Sequence, residues 1–389
     1  MFTKKIIFFA PILSNVGGIE KTALEIKNIC ENKNIPFDLI TLIRTDNNSN
    51  YLLKNGRFFK SVTALFGKTI AFYLFTYFLL INNKEIISQL TGSIVLVRSS
   101  AMAFALNKVK KKNNIDFKLV YIPSHYSKDL FLPIIKRFYE NRHYIKAVLN
   151  VRNMYSECYI EKKIIMNTDI NIVTFSHNLK NRLTGNFKMR VKKNGIRVIR
   201  PGISTAILNV DPLKKTDSVN FLYVGRVEPG KNIDMLLDFF DRVKGLQCKL
   251  VIAGDGSLLT NLSKLYMHNK QIEFIGAIYG ERLANEYVKA SYLIIPSFNE
   301  SYGHVISESL CCGTPVIGYY FKGCHNAIRE LIIHGENGFV ITDNTFFSFQ
   351  TVIKAAMQNY YSFKKNAENI ATLNRGIYSW NRFLEEVVK

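Results

Sequence analysis

Short apolar runs recur along this chain, separated by longer stretches whose apolar residues fall every three or four positions. In the first half the runs are "KKIIFFAPI", "FDLITLI", "SIVLVRS", "FKLVYIPS" and "DINIVTFS"; in the second they are "NFLYVGR", "CKLVIAGDG", "IEFIGAI", "YLIIPS", "TPVIGY" and "GFVI". Runs this short, ending at Gly, Pro or Ser, read as buried parallel strands, and the periodic stretches between them as helices on both faces. Each half has enough strands for its own doubly wound sheet. Pro201 and Gly202, in "RVIRPGIS", break the pattern, which places one domain over residues 1–200 and a second over 201–377. The fold class expected is α/β, with two Rossmann-like domains facing across a cleft and ligands at the carboxyl ends of the strands.

A chain of 389 residues exceeds one ordinary core, and 48% hydrophobic with 21% charged residues is a globular composition. A net charge of +22 demands a strongly basic face; the partners of such a face are nucleic acid, anionic headgroups or phosphorylated small molecules. The basic residues gather in the first half, at Lys108, Lys110, Lys111 and Lys112, then Lys136, Arg137, Arg142 and Lys146, and again from Lys180 to Lys193. Taken singly, each reads as part of a solvated helix face. The apolar segment "TIAFYLFTYFLLI" shares that domain and is shorter than the ~20 residues that cross a bilayer, so it reads as a buried or interfacial helix. Together these features point to docking on an anionic membrane surface. No helix-turn-helix, zinc or RNA-binding motif accompanies the charge, which argues against nucleic acid. The N-terminal "MFTKKIIFFAPILSNVGG" reads as a first buried strand entering a glycine turn rather than as a signal peptide. Six cysteines without a C-x-x-C pair indicate reduced, mostly buried thiols and a cytoplasmic setting.

Candidate chemistry lies at the predicted strand ends. Gly17 and Gly18 let the backbone turn closely before a helix whose N-terminus favours anions. Arg226 and Lys231 leave the strand "NFLYVGR" and suit a diphosphate, while Glu228 beside them weakens their potential unless it turns away. "AGDG" lacks the third glycine of a dinucleotide fingerprint. In "SFNESYGHVISESLCCGTPVIG", Glu300 lies on a loop and Glu308 on the following helix, one turn after His304. A carboxylate accepts two hydroxyls of a ribose or a sugar, and Glu308 among apolar residues needs a partner. His125 ends "VYIPSH", and Arg98 ends "VLVR". Asp-x-Asp, a metal-binding pair, is absent from the sequence.

In this order "VGRVEPGKN", "AGDGSL", "FIGAIYG", "PSFNESYGHVISESLCCGTPVIG" and "ELIIHGENGFVI" resemble the donor-side motifs of retaining family 4 glycosyltransferases, the group 1 transferases of GT-B fold. The resemblance is strong from Val219 onward; earlier it rests on "NVGGIEK", "VTFSHNLKNRL" and "VIRPGIS". It implies that Arg226 and Lys231 hold the donor diphosphate, Glu308 the ribose and Glu300 the donor sugar. Backbone amides of Ser301, Tyr302 and Gly303, with the Gly17–Gly18 loop, complete the pocket, and His125 lies near the sugar. "YSWNRFLEEV" resembles the terminal helix that returns to the first domain, here 378–389. Tyr302 stands where the family more often has Phe. The implied activity is transfer of a hexose from a nucleotide sugar, UDP-linked, to a lipid-linked or oligosaccharide acceptor in bacterial lipopolysaccharide, O-antigen or capsule synthesis. It needs no metal or cofactor and takes place at the inner face of the plasma membrane. A nucleotide-sugar epimerase or sugar phosphorylase of the same architecture is the alternative enzyme, and a basic nucleic-acid-binding protein the alternative of another class.

Overall fold

The computed structural model describes residues 4–10, 18–43, 50–53, 63, 67–125, 144–185, 195–243, 247–320, 325–343 and 345–389. The chain divides into two compact units, Met1–Ile199 with Trp380–Lys389, and Arg200–Ser379.

The first unit is built on strands β1 (Ile6–Ala10), β2 (Phe37–Ile43), β3 (Asn50–Leu53), β4 (Ile94–Val97), β5 (Lys118–Tyr121), β6 (Ile170–Thr174) and β7 (Arg197–Val198). They form one seven-stranded sheet in the order β3-β2-β1-β4-β5-β6-β7, and every pairing is parallel. Every residue of β1 and β4 is buried, which is why these strands read as unbroken apolar runs. The connecting helices are α1 (Gly18–Asn32), α2 (Lys68–Ile81), α3 (Lys84–Leu90), α4 (Ser100–Lys112), α5 (Tyr144–Ile165) and α6 (His177–Gly185). The strand order reverses between β1 and β4.

The apolar segment predicted to be a buried or interfacial helix is α2. It buries Thr69, Ala71, Phe72, Phe75, Thr76 and Leu80, and the Thr69 amide donates to Asn153 Oδ1 of α5 at 2.7 Å. No single described helix is long and apolar enough to cross a membrane; α2 and α3 reach that length and composition only as a pair bent by 95°. The unit is closed by the helix Trp380–Val388. Lys118 Nζ donates to Val388 O at 2.9 Å, and Phe383 meets Phe175 edge-on at 6.0 Å.

The second unit contains β8 (Val219–Val224), β9 (Cys248–Ala253), β10 (Ile272–Gly276), β11 (Tyr292–Ile295), β12 (Asn299–Glu300), β13 (Val316–Tyr319), β14 (His325–Asn326) and β15 (Gly338–Ile341). Six of them form a sheet in the order β10-β9-β8-β11-β13-β15, and β12 pairs with β14. All these pairings are parallel, and the order reverses between β8 and β11. The helices include α7 (Thr205–Leu208), α8 (Ile233–Arg242), α9 (Leu259–Leu265), α10 (Gly280–Lys289) and α11 (His304–Cys311). Helix α8 buries Ile233, Leu236, Leu237, Phe239 and Phe240. Phe239 packs on Phe349 at 4.1 Å, and Phe221 stacks on Tyr292 at 6.0 Å. Each fully buried ring of this kind contributes about 1.5–3 kcal/mol relative to exposure. Among the described cysteines, Cys30, Cys248, Cys311 and Cys312 are buried free thiols.

A buried cation ties this unit together. Lys215 donates to Val288 O at 3.1 Å, Ala290 O at 3.3 Å and Thr314 Oγ1 at 2.5 Å. It thereby joins the end of α10 to the turn that follows α11. Burial pulls the Lys215 ammonium down to about 7. An unfolded lysine keeps its proton to about 10.4, so between these values the unfolded chain binds more protons and stability rises with pH. The thermal midpoint of the wild type should therefore gain on that of Lys215→Met between pH 7 and pH 8.5. Parallel pH profiles for the two proteins would contradict this linkage.

Candidate functional site

The densest chemistry lies where the strand order of the second sheet reverses. Gly225 and Arg226 leave β8, and their loop is held against the loop leaving β9. Gly225 N donates to Ala253 O at 3.1 Å, Val227 N to Asp255 O at 2.9 Å, and Leu258 N to Val227 O at 3.1 Å. At Gly254 a Cβ would lie 1.8 Å from Gly225 O, so the glycine is required for two backbones to touch. The "AGDG" turn thus acts as a support for the Arg226 loop. Tyr223, 1% exposed, adds a hydrogen bond from its hydroxyl to Arg226 O at 2.7 Å; burial pushes that phenol well above its usual range. Glu228, whose charge threatened the local potential, accepts from Ser257 Oγ at 2.9 Å and Ser257 N at 3.2 Å. The Arg226 side chain is exposed, and among the described residues it forms no ion pair.

Lys231 ends a single 3-10 turn, Pro229–Lys231, and Asn232 follows in the left-handed region at φ 55°. Asn232 Nδ2 reaches across to Pro296 O at 3.2 Å, joining this turn to the loop that leaves β11. Glu300 stands in that loop. Its backbone is fixed by pairing with Asn326 in β14 and by the bond from Ala327 N to Glu300 O, 2.9 Å. The Lys231 ammonium is bound directly to Glu300 Oε1, with the two side chains 24% and 16% exposed. The sequence assigned these residues separate tasks; the fold brings them into contact.

Gly303 turns the chain into α11 at φ 87°, and a Cβ there would meet Ile306 Cδ1 at 2.8 Å. Glu308 follows on α11 and is 3% exposed. The partner that its apolar surroundings demanded is Tyr287 of α10, whose hydroxyl donates to Glu308 Oε2 at 2.9 Å. Tyr287 is fully buried, and burial followed by the neighbouring Glu308 charge drives its phenol well above the usual range. No spacing in the sequence singles out Tyr287. Tyr302 is buried, with its hydroxyl 2.7 Å from Ser307 Oγ and the Arg200 guanidinium 5.8 Å from its ring centroid. The Tyr302 side chain is thus part of the core of this unit.

In the first unit Gly18 opens α1, whereas Gly17 lies outside the described residues. Arg98, at the carboxyl end of β4, is 8% exposed; it donates to Thr22 Oγ1 at 3.0 Å and lies 5.1 Å from the Phe175 ring centroid. His125 follows β5, and its Nε2 is 3.4 Å from Glu157 Oε1 of α5. Tyr121, the last residue of β5, is buried. Burial first, then Glu161 and Glu157, push its phenol well above normal. The carboxyl edge of the first sheet thus holds Arg98, His125 and Glu157, and that of the second holds Arg226, Lys231 and Glu300, with Glu308 on the next helix.

Residues 207–372 match the family model described as glycosyl transferases group 1. An uncharacterized glycosyltransferase of Methanocaldococcus jannaschii is 28% identical over 244 residues, which cover 62% of this chain. The match spans 64% of that relative's length, just under two thirds. Among solved structures, a lipopolysaccharide outer core galactosyltransferase in its apo form aligns with 99% of this chain and 99% of its own, at a TM-score of 0.64 and 16% identity. The Anabaena protein HepE in complex with UDP and glucose aligns with 99% of this chain and 98% of its own, at a TM-score of 0.67 and 14% identity. At such identities the structures speak for the fold alone. The match to the group 1 glycosyl transferase model is confined to residues 207–372, and the two parallel sheets have the GT-B fold of the solved structures.

Proposed function

We propose that the protein is a retaining glycosyltransferase that moves a hexose from a UDP-linked donor to a growing bacterial surface glycan without a bound metal. The observation that carries this reading is the set of Arg226, Lys231 and Glu300 at the reversal of the second sheet. As the bond from the sugar to the diphosphate breaks, negative charge builds on the departing phosphate oxygens. Two fixed cations stabilise that charge more in the transition state than in the ground state, and so supply what a divalent ion would otherwise supply. Glu308, oriented by Tyr287, accepts from the ribose hydroxyls. Glu300 accepts from hydroxyls of the hexose, amides of Ser301–Gly303 complete the phosphate site, and His125 acts beside the sugar. UDP and glucose bound to the HepE structure, and the galactosyltransferase activity named for the other, favour a UDP-hexose and a lipopolysaccharide-like acceptor. Retention of configuration is supported by the family 4 motifs.

The acceptor side is assigned to a lipid-linked or oligosaccharide substrate met at the inner face of the plasma membrane. Support comes from lysines set over aromatic rings, two of them one turn apart on the same helix and one across two helices: Lys108 over Phe104 at 5.5 Å, Lys163 over Tyr159 at 5.4 Å and Lys112 over Tyr77 at 5.8 Å. Phe78, Tyr155 and Tyr159 are 54%, 64% and 60% exposed. Aromatic rings paired with cations suit the headgroup layer.

Release of UDP from a panel of UDP-hexoses tests the chemistry. Arg226→Ala and Glu308→Ala should each lower turnover by about 10²–10³-fold with unchanged circular dichroism, and EDTA should leave the wild-type rate intact. Full rates in both variants would overturn the site assignment; turnover with no acceptor, or with phosphate alone, would point instead to an epimerase or a phosphorylase. Sedimentation with vesicles tests the docking face. Reversing Lys108 and Lys112 to Glu should weaken binding to phosphatidylglycerol vesicles by about tenfold or more; equal binding by wild type and variant would remove the membrane from the proposal.

A further inference from the structure

The two side chains to which the proposed reaction gives different partners are bound to each other. Lys231 would take the diphosphate and Glu300 the hexose, yet the Lys231 ammonium sits on Glu300 Oε1. Chain proximity does not force this contact, because 69 residues separate the two positions. Each backbone has its own support, Lys231 through the hydrogen bond from its amide to Glu228 O at 3.0 Å and Glu300 through its pairing with β14, and Asn232 links the two loops through Pro296 O. Arg226 differs from its neighbour, being exposed and without an ion pair among the described residues. One cation is therefore available to an incoming anion, and the other is already engaged in a pair three-quarters or more withdrawn from water.

We propose that the Lys231–Glu300 ion pair makes the site prefer an intact sugar nucleotide over the bare nucleoside diphosphate. The inference rests on the reading of Lys231 as a diphosphate ligand and deepens it. A nucleoside diphosphate recruits Lys231 in competition with Glu300, which weakens the counter-charge of a largely buried carboxylate even where the three ammonium donors are shared. An intact donor brings hydroxyls that donate to Glu300 as the diphosphate draws Lys231 away, so both groups remain satisfied. Part of the affinity for the diphosphate is thus withheld until the sugar is present. After transfer the carboxylate reclaims the lysine, which favours product release. Glu300 becomes a specificity-determining residue for the nucleotide as well as for the sugar.

Calorimetry on the full chain with UDP, and with UDP-glucose in the absence of acceptor, tests this with four proteins: wild type, Glu300→Gln, Lys231→Met and the double variant. Glu300→Gln should tighten UDP binding by about three- to tenfold, the worth of a partly buried pair, and should shrink the preference for UDP-glucose. In the Lys231→Met background the same change should leave UDP affinity unaltered, since the coupling runs through the lysine. Tightening of equal size in both backgrounds would reduce the effect to general electrostatics and overturn the inference, as would no tightening in either. If Lys231→Met binds UDP as well as wild type, the assignment of Lys231 to the diphosphate fails, and the inference falls with it. Loss of UDP affinity in Lys231→Met without tightening in Glu300→Gln would sink the inference alone.

Discussion

Parallel strands cannot be joined by a tight turn, and most of this molecule follows from that constraint. Each strand must be carried back over the sheet by a helix, so both faces are covered and the strands are buried on both sides. The crossovers place successive loops at the carboxyl edge, and a reversal in strand order forces two of those loops apart. The reversal between β8 and β11 is where Lys231 and Glu300 meet, with Arg226 on the loop leaving β8; that between β1 and β4 lies beside Arg98. These side chains gather at the edges because the crossovers deliver successive loops there.

Two-sided burial also explains what could be read from the residues. Runs such as "IIFFA" and "YLII" carry no polar interruption, and every one of their residues is buried, so strand and sheet class were legible. The missed strands are "NYLL" in β3 and the two-residue β7, β12 and β14. Such segments become strands only because a neighbour lies alongside, which no local pattern records. At the site, the spacing of Arg226 and Lys231 at a strand end was enough to suggest a phosphate, and an apolar setting was enough to require a partner for Glu308. The identity of that partner was not legible, since Tyr287 lies 21 residues away on another helix. The Lys231–Glu300 pair was hidden for the same reason, as was the approach of Glu157 to His125. Sequence spacing describes single elements well; contacts between elements depend on packing.

The support beneath the site is unusually dependent on glycine. Gly254 permits two loops to touch, and Gly303 redirects the chain into the helix that bears Glu308. These positions shape the site without presenting any functional atom. Glu228 illustrates the reverse case: a charge that the sequence would read as a liability is drawn to Ser257 and serves to join the same two loops.

The helix Trp380–Val388 belongs to the first unit, although it follows the whole of the second along the chain. During synthesis from the N-terminus, Arg200–Ser379 is therefore a contiguous stretch that emerges complete before the first unit acquires its final helix. The basic, lysine-rich unit must wait with the surface around Phe175 and Lys118 uncovered. Order of folding and order of sequence consequently diverge. The unit that bears Arg226, Lys231 and Glu300 is the one free to become native first.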